Sequence, residues 1–179
     1  MKQDSDRARS LGESIQQGKP FTSIFEEGLL TLLLTESRLA ECIAEPLRQK
    51  GLTIAQYNIL RILRGSKDGL LMHEAAERMV SRATSITRLV DRLETCGWLT
   101  RVRCTKDRRA IHLRLTEAGS EILGKLESPM AEVVRDATRG LTAPEMKTLC
   151  RLLNQLRFPL ENHHLANSAK NQSGRESSK

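Results

Sequence analysis

"WLTRVRCTKDRRAIHLRLTEAG", Trp98 to Gly119, is the stretch on which the reading of this chain turns. "WLTRVRC" and "AIHLRLT" alternate apolar with polar or charged side chains, the period of two that belongs to strands buried on one face. "TKDRR" joins them, so the segment predicts a β-hairpin with a charged tip. In that tip one acid, Asp107, is wedged among Lys106, Arg108 and Arg109. Such a tip is either an ordinary solvated turn or a device for holding a phosphate backbone.

Charge distribution favours the second. Between Ser81 and Thr116 stand nine Lys and Arg against Asp91, Glu94 and Asp107, a local excess of +6 out of the +7 carried by all 179 residues. A basic excess confined to one segment is the electrostatic footprint of a polyanion binder. Upstream, "LLMHEAAERMVSRATSITRLVDRLETCGWL" predicts two short helices, about Met72 to Met79 and about Ala83 to Cys96. "VSR" connects them, Ser81 or Thr84 caps the second, and Gly97 lies just beyond it. In the second, Ile86, Leu89, Val90 and Leu93 fall at helical spacing and must face a core. Arg82, Thr84, Ser85, Thr87, Arg88, Asp91 and Arg92 are left on its other faces. Hydroxyls and guanidinium groups on the N-terminal half of an exposed helix are the chemistry that reads a major groove. Helix, turn, helix and charged hairpin, in this order, make a winged helix-turn-helix.

Longer helices flank this unit. "FTSIFEEGLLTLLLTESRLAECIAEPLRQKG" predicts a helix from about Thr22 to Lys50, closed by Gly51, with Pro46 kinking it or marking its last turn. Apolar residues cover most of its circumference, which calls for burial on more than one side. Thr53 and Gln56 form a capping box for the next helix. After the hairpin, Ile122, Leu123, Leu126, Met130, Val133, Val134 and Ala137 give a helical face that Pro129 should bend or split. A last helix opens with Thr142 as cap and Glu145 completing its box, and carries the stripe Met146, Leu149, Leu152, Leu153 and Leu156. The fold class expected is mainly α with a small β-hairpin wing: a winged helix-turn-helix plus a helical dimerisation lobe. Residues 1–20 read as an N-terminal arm, 21–158 as the folded domain (DNA-binding lobe about 52–119, dimerisation helices about 22–50 and 117–158) and 159–179 as a disordered polar tail.

The stretch from Leu52 to Gly119 resembles the DNA-binding lobe of the MarR family of bacterial transcription regulators. That family's wing pattern, Asp-x-Arg, five residues, then Leu-Thr-x-x-Gly, is matched by Asp107, Arg109, Leu115, Thr116 and Gly119, and "LVDRLETCGWLTR" resembles its recognition-helix exit. The resemblance extends in pattern from about Phe21 to Phe158. It implies a homodimer that binds palindromic double-stranded DNA and releases it on binding a small anionic or phenolic effector. It places Ser81, Arg82, Thr84, Ser85, Thr87 and Arg88 toward a major groove. Arg109 becomes the minor-groove arginine with Asp107 as its orienting partner, between Lys106 and Arg108. An effector is expected near Tyr57, Arg61 and the first long helix. The sequence departs from the family pattern twice. Met72 stands where the first short helix often has a Ser or Thr cap. Leu29 stands where peroxide-sensing members carry a reactive thiol, and Cys42 lies more than a dozen residues later.

Other function classes find little support. No run approaches the roughly 18 apolar residues that span a bilayer, and "MKQDSDRARSLGES" has no apolar signal region, so a cytoplasmic protein is expected. Cys42, Cys96, Cys104 and Cys150 form no CxxC pair, and read as reduced thiols, some of them core fillers. His73 and His112 read as a helix-surface and an outward strand residue; His163 and His164 lie in the tail. No Ser/His/Asp set, phosphate loop or paired carboxylates in a cleft stand out, so neither catalysis, a cofactor nor a metal site is expected. The readings set beside a ligand-responsive repressor are a ligand-independent architectural DNA-binding protein and a winged-helix protein-interaction module.

Overall fold

The computed structural model describes residues 10–66, 68–80, 85–103 and 111–176, with side chains described as far as Glu161. The elements run α1 Leu11–Ser14, α2 Ile24–Arg48, α3 Ile54–Arg64, β1 Leu70–Leu71, α4 Met72–Glu77, α5 Ile86–Thr95, β2 Leu99–Arg103, β3 Ile111–Leu115, α6 Glu117–Thr138 and α7 Ala143–Glu176. The chain divides into two compact units, Met1–Val134 and Arg135–Lys179.

Local chemistry sets the helix ends of the first unit. Ser23 is extended, and its hydroxyl accepts from the Glu26 N–H at 3.2 Å, starting α2. Pro46 lies in the last turn of α2, where the helix is already ending. Beyond it the Gly51 N–H donates to Arg48 O and the Leu52 N–H to Leu47 O, each at 3.0 Å, with Gly51 at φ +70°. This is the Schellman closure, completed by apolar contact across the turn, and Leu47 and Leu52 are both buried. Thr53 then caps α3 reciprocally: its hydroxyl accepts from the Gln56 N–H at 3.2 Å and its own N–H donates to Gln56 Oε1 at 2.9 Å. The box thereby satisfies Gln56, which is buried.

The core of this unit is one cluster. α3 supplies Ile59, Leu60 and Leu63, α5 supplies Val90 and Leu93, the sheet supplies Leu99 and Leu113, and α6 supplies Leu123 and Leu126. Each of these aliphatic side chains stabilises the fold by about 1.5–3 kcal/mol through burial. β2 and β3 pair antiparallel with Leu99 opposite Leu115 and Arg103 opposite Ile111. β1 adds a third strand on the far side of β3, Leu70 opposite Leu113, giving the order β1-β3-β2. The hairpin foreseen from the alternating pattern is thus the larger part of a three-stranded sheet.

Several expectations are corrected. α6 is one helix and Pro129 does not split it; the N–H that proline lacks would have bonded the carbonyl of Lys125, an exposed position where water can serve instead. The start of α4, by contrast, is as the missing Ser or Thr implied: it begins at Met72 without a side-chain cap, and the Glu74 carboxylate, accepting from the Leu71 N–H at 2.8 Å, ties its first turn. Cys42, Cys96 and Cys150 are exposed and fill no core; Cys104 lies outside the described residues. His112 lies on the face of β3 opposite buried Leu113, the outward face expected for it, but is half-buried there between Leu71 and Val102 with a shielded Nδ1. In the second unit, Thr142 and Glu145 form the expected box: the Thr142 N–H donates to Glu145 Oε2 at 2.7 Å. α7 then runs through Pro159 to Glu176, where composition points to a disordered tail.

Candidate nucleic-acid interface

α5 is the element on which the interface is built. Ile86 is half-buried and Leu89, Val90 and Leu93 are buried, as their spacing required. Thr87, Arg88, Asp91 and Arg92 are exposed. The core therefore holds one side of the helix and presents hydroxyl and guanidinium groups on the other. The described helix starts at Ile86 and not at Ala83, with extended Ser85 in the N-cap position and its side chain making no capping bond. Ser85, expected on the helix itself, is thus an exposed residue at its threshold. Ser81, Arg82 and Thr84, also expected to face DNA, lie outside the described residues, as do Lys106, Asp107, Arg108 and Arg109 of the hairpin tip.

The exit from α5 into the sheet is fixed by a second Schellman closure. The Trp98 N–H donates to Leu93 O at 3.0 Å and the Gly97 N–H to Glu94 O at 2.9 Å, with Gly97 at φ +72°. The far end of the hairpin returns to the same point. Thr116 Oγ1 donates to Gly97 O at 2.6 Å, the Thr116 N–H donates to Trp98 O at 3.2 Å, and the Gly119 N–H donates to Thr116 Oγ1 at 3.0 Å. Gly119 packs so closely on Trp98 that an added Cβ would lie 2.0 Å from the Trp98 carbonyl oxygen. The Leu-Thr-x-x-Gly half of the wing pattern thus has a structural role, in which Thr116 and Gly119 clasp α6 to the turn that follows α5.

Arg101 belongs to the basic segment by sequence, and the structure removes it from the cations free to meet a polyanion. Its guanidinium, on β2, reaches back to α5, where Nη2 lies 2.5 Å from Asp91 Oδ1 and Nη1 bonds Glu94 Oε2. The Arg101 N–H also donates to Glu94 Oε1 at 3.2 Å. The hydrogen bond to Asp91, the largest cause, raises the Arg101 pKa above its ordinary value, and the neighbouring Glu94 charge adds to it against the cost of partial burial. Sequence reasoning missed this triad because its members come from two elements. The signal was a pair of acids three apart on the helix, followed by an arginine in the strand that the Gly97 turn folds back on it.

Tyr57 and Arg61 do meet, one turn apart on α3, with the guanidinium carbon 5.7 Å from the ring centroid, within cation–π range. Tyr57 packs against the core and Arg61 is exposed. Among the described residues no group of three or more His, Cys, Asp and Glu could hold a metal ion.

Comparison with known proteins agrees with this geometry. The family model for the MarR family matches residues 50–110. The chain is 29% identical over 135 residues to the transcriptional repressor MprA of Escherichia coli (strain K12), covering 74% of this chain and 77% of MprA. It is 34% identical to a MarR transcription factor from Planctomyces limnophilus, over 76% of this chain and 99% of that one, with a TM-score of 0.59. Sco3205 of Streptomyces coelicolor, a MarR family transcriptional regulator whose structure is in complex with DNA, superposes with a TM-score of 0.70. It is 25% identical, over 78% of this chain and 94% of Sco3205. With the three-stranded sheet, the split face of α5 and the Thr116–Gly119 clasp in place, these matches assign the chain to the MarR family of transcription regulators.

Proposed function

We propose that this chain is a homodimeric, effector-responsive repressor that binds a palindromic DNA operator through α5 and the β2–β3 hairpin. The observation that carries the reading is the division of α5 into a core-held face and an exposed face of Thr87 and Arg88, with Ser85 at its start. Arg88 is suited to bond guanine O6 and N7, and Ser85 and Thr87 to bond bases or phosphates. Ser81, Arg82 and Thr84 extend that surface, while Lys106, Asp107, Arg108 and Arg109 form the wing tip, where an arginine in a narrow minor groove gains from its focused potential. Residues 52–119 serve as the DNA-binding lobe, and 22–50 with 117–158 as the dimerisation helices. Exposed Phe25, Leu29 and Leu33 on α2 and Leu152 and Leu156 on α7 support the latter. The Tyr57–Arg61 pair supports an effector that is a small anion or a phenol, since it offers a cation beside an aromatic face. No helix among the described residues is long and apolar enough to cross a membrane, which fits a cytoplasmic regulator.

Sedimentation combined with fluorescence anisotropy tests the reading, using palindromes from DNA flanking the coding region and a shuffled duplex of equal length. A dimer that prefers its palindrome by about a thousandfold or more, with affinity falling steeply in salt, is expected. Equal affinity for the shuffled duplex contradicts it in favour of an architectural binder, and absence of DNA binding in favour of a protein-interaction module.

A further inference from the structure

We infer that Arg101 is a positioning residue of DNA recognition: forked between Asp91 and Glu94, it sets the angle at which the hairpin leaves the recognition helix. The inference rests on the DNA-binding reading above and concerns a residue outside the surface that reading assigns to DNA. Asp91 and Glu94 stand three apart on α5 and Arg101 lies in the middle of β2, so the triad joins the two elements that reach DNA. The Arg101 side chain is 25% exposed, against 57% for Asp91 and 37% for Glu94, so the guanidinium is directed inward onto the helix. Both of its terminal nitrogens are engaged by carboxylates, and a fork so occupied makes a poor phosphate contact.

The geometry explains why such a tie is useful. Between α5 and β2 the covalent link is the short turn Cys96, Gly97 and Trp98. β1, the only other strand in the sheet among the described residues, pairs with β3 at just two positions, Leu70 and Leu71. A two-stranded ribbon by itself flexes readily. Arg101 braces β2 against the helix two residues before the strand ends at Arg103. Fixing the helix-to-hairpin angle before DNA arrives lowers the ordering cost of engaging both grooves together.

Simple electrostatics and positioning make opposite predictions. Asp91→Asn with Glu94→Gln keeps side-chain shape, removes two negative charges per subunit and releases Arg101. Charge alone then strengthens DNA binding, whereas positioning weakens it. Operator affinity and the hydroxyl-radical footprint of wild type and double variant are measured on the palindrome that wild type binds. We expect roughly three- to tenfold weaker binding, loss of protection at the flanks contacted by the hairpin, retained protection at the centre of each half-site, and a salt slope no flatter than wild type. Binding at least as tight as wild type, or a loss of protection spread evenly over the footprint, overturns the inference while leaving the DNA-binding reading intact; a wild-type chain that binds no duplex overturns both. If the double variant loses its circular dichroism melt, Asp91→Asn alone, which retains the Glu94 contacts, is read by the same criteria.

Discussion

Gly119→Ala is the substitution whose cost the structure specifies most directly. An ideal Cβ there would stand 2.0 Å from Trp98 O, 2.7 Å from Leu115 Cδ1 and 3.0 Å from the Trp98 carbonyl carbon. Carbon–oxygen contacts settle at about 3.3 Å or more, so the start of α6 and the Gly97–Leu99 backbone must part by roughly 1.3 Å. Backbone cannot rotate aside as a flexible side chain does. The move also stretches the Thr116 bonds to Gly97 O at 2.6 Å and to Trp98 O at 3.2 Å. Overpacking of this kind costs about 1–3 kcal/mol, and two weakened hydrogen bonds add about 1 kcal/mol each, for a total of roughly 3–5 kcal/mol. At about 2–4 °C per kcal/mol for a chain of this size, the thermal midpoint by circular dichroism should fall by roughly 6–20 °C. Gly124→Ala is the control, since it lies on the same helix with nothing within 4 Å of an added Cβ. It should raise stability by up to about 1 kcal/mol through helix propensity. A Gly119→Ala protein that melts with wild type would refute the close approach, and with it the clasp formed by Thr116 and Gly119.

Two further outcomes follow from the helix starts. Thr53→Ala removes the hydroxyl that accepts from the Gln56 N–H and leaves only the backbone half of the box, the Thr53 N–H on Gln56 Oε1, so urea denaturation should show a loss of about 1 kcal/mol; an unchanged midpoint counts against the cap. Glu145 is held below its ordinary pKa of 4.5, first by the Thr142 hydroxyl and then by the Thr142 N–H. Its stabilisation of the start of α7 is therefore full above the ordinary value and is lost as pH falls through the lowered one. Amide protection factors in the first turn of α7 should drop over that acid range in wild type, and Glu145→Gln should flatten the dependence; an equally steep drop in the variant contradicts the role.

How much was legible depended on whether the signal lay within one element. Thr53 with Gln56 and Thr142 with Glu145 declared two helix starts because a capping box needs only four consecutive residues. Ile86, Leu89, Val90 and Leu93 declared the buried face of α5 because helical period writes burial into the sequence. β1 escaped because Leu70 and Leu71 are too few to show a period; pairing with β3, not local preference, makes them a strand. Pro129 suggested a break that α6 passes through, since a missing N–H is tolerated where water can reach the freed carbonyl. The Arg101 triad could not be read from charge counting, which treats an arginine forked by two carboxylates as equal to a free one. The direction in which β2 returns along α5 decides that, and direction is a tertiary property.

The central claim is that the exposed face of α5 reads base edges. The most direct test is the affinity of wild type, Thr87→Ala and Arg88→Ala for the operator and for operators changed one base pair at a time. Base readout predicts that wild type loses about 1–3 kcal/mol at particular positions in each half-site, and that Arg88→Ala erases the penalty at its own position while keeping the others. Equal weakening of Arg88→Ala on every duplex, with the wild-type pattern of base preference intact and only the salt slope reduced, would contradict the claim and make Arg88 a phosphate contact.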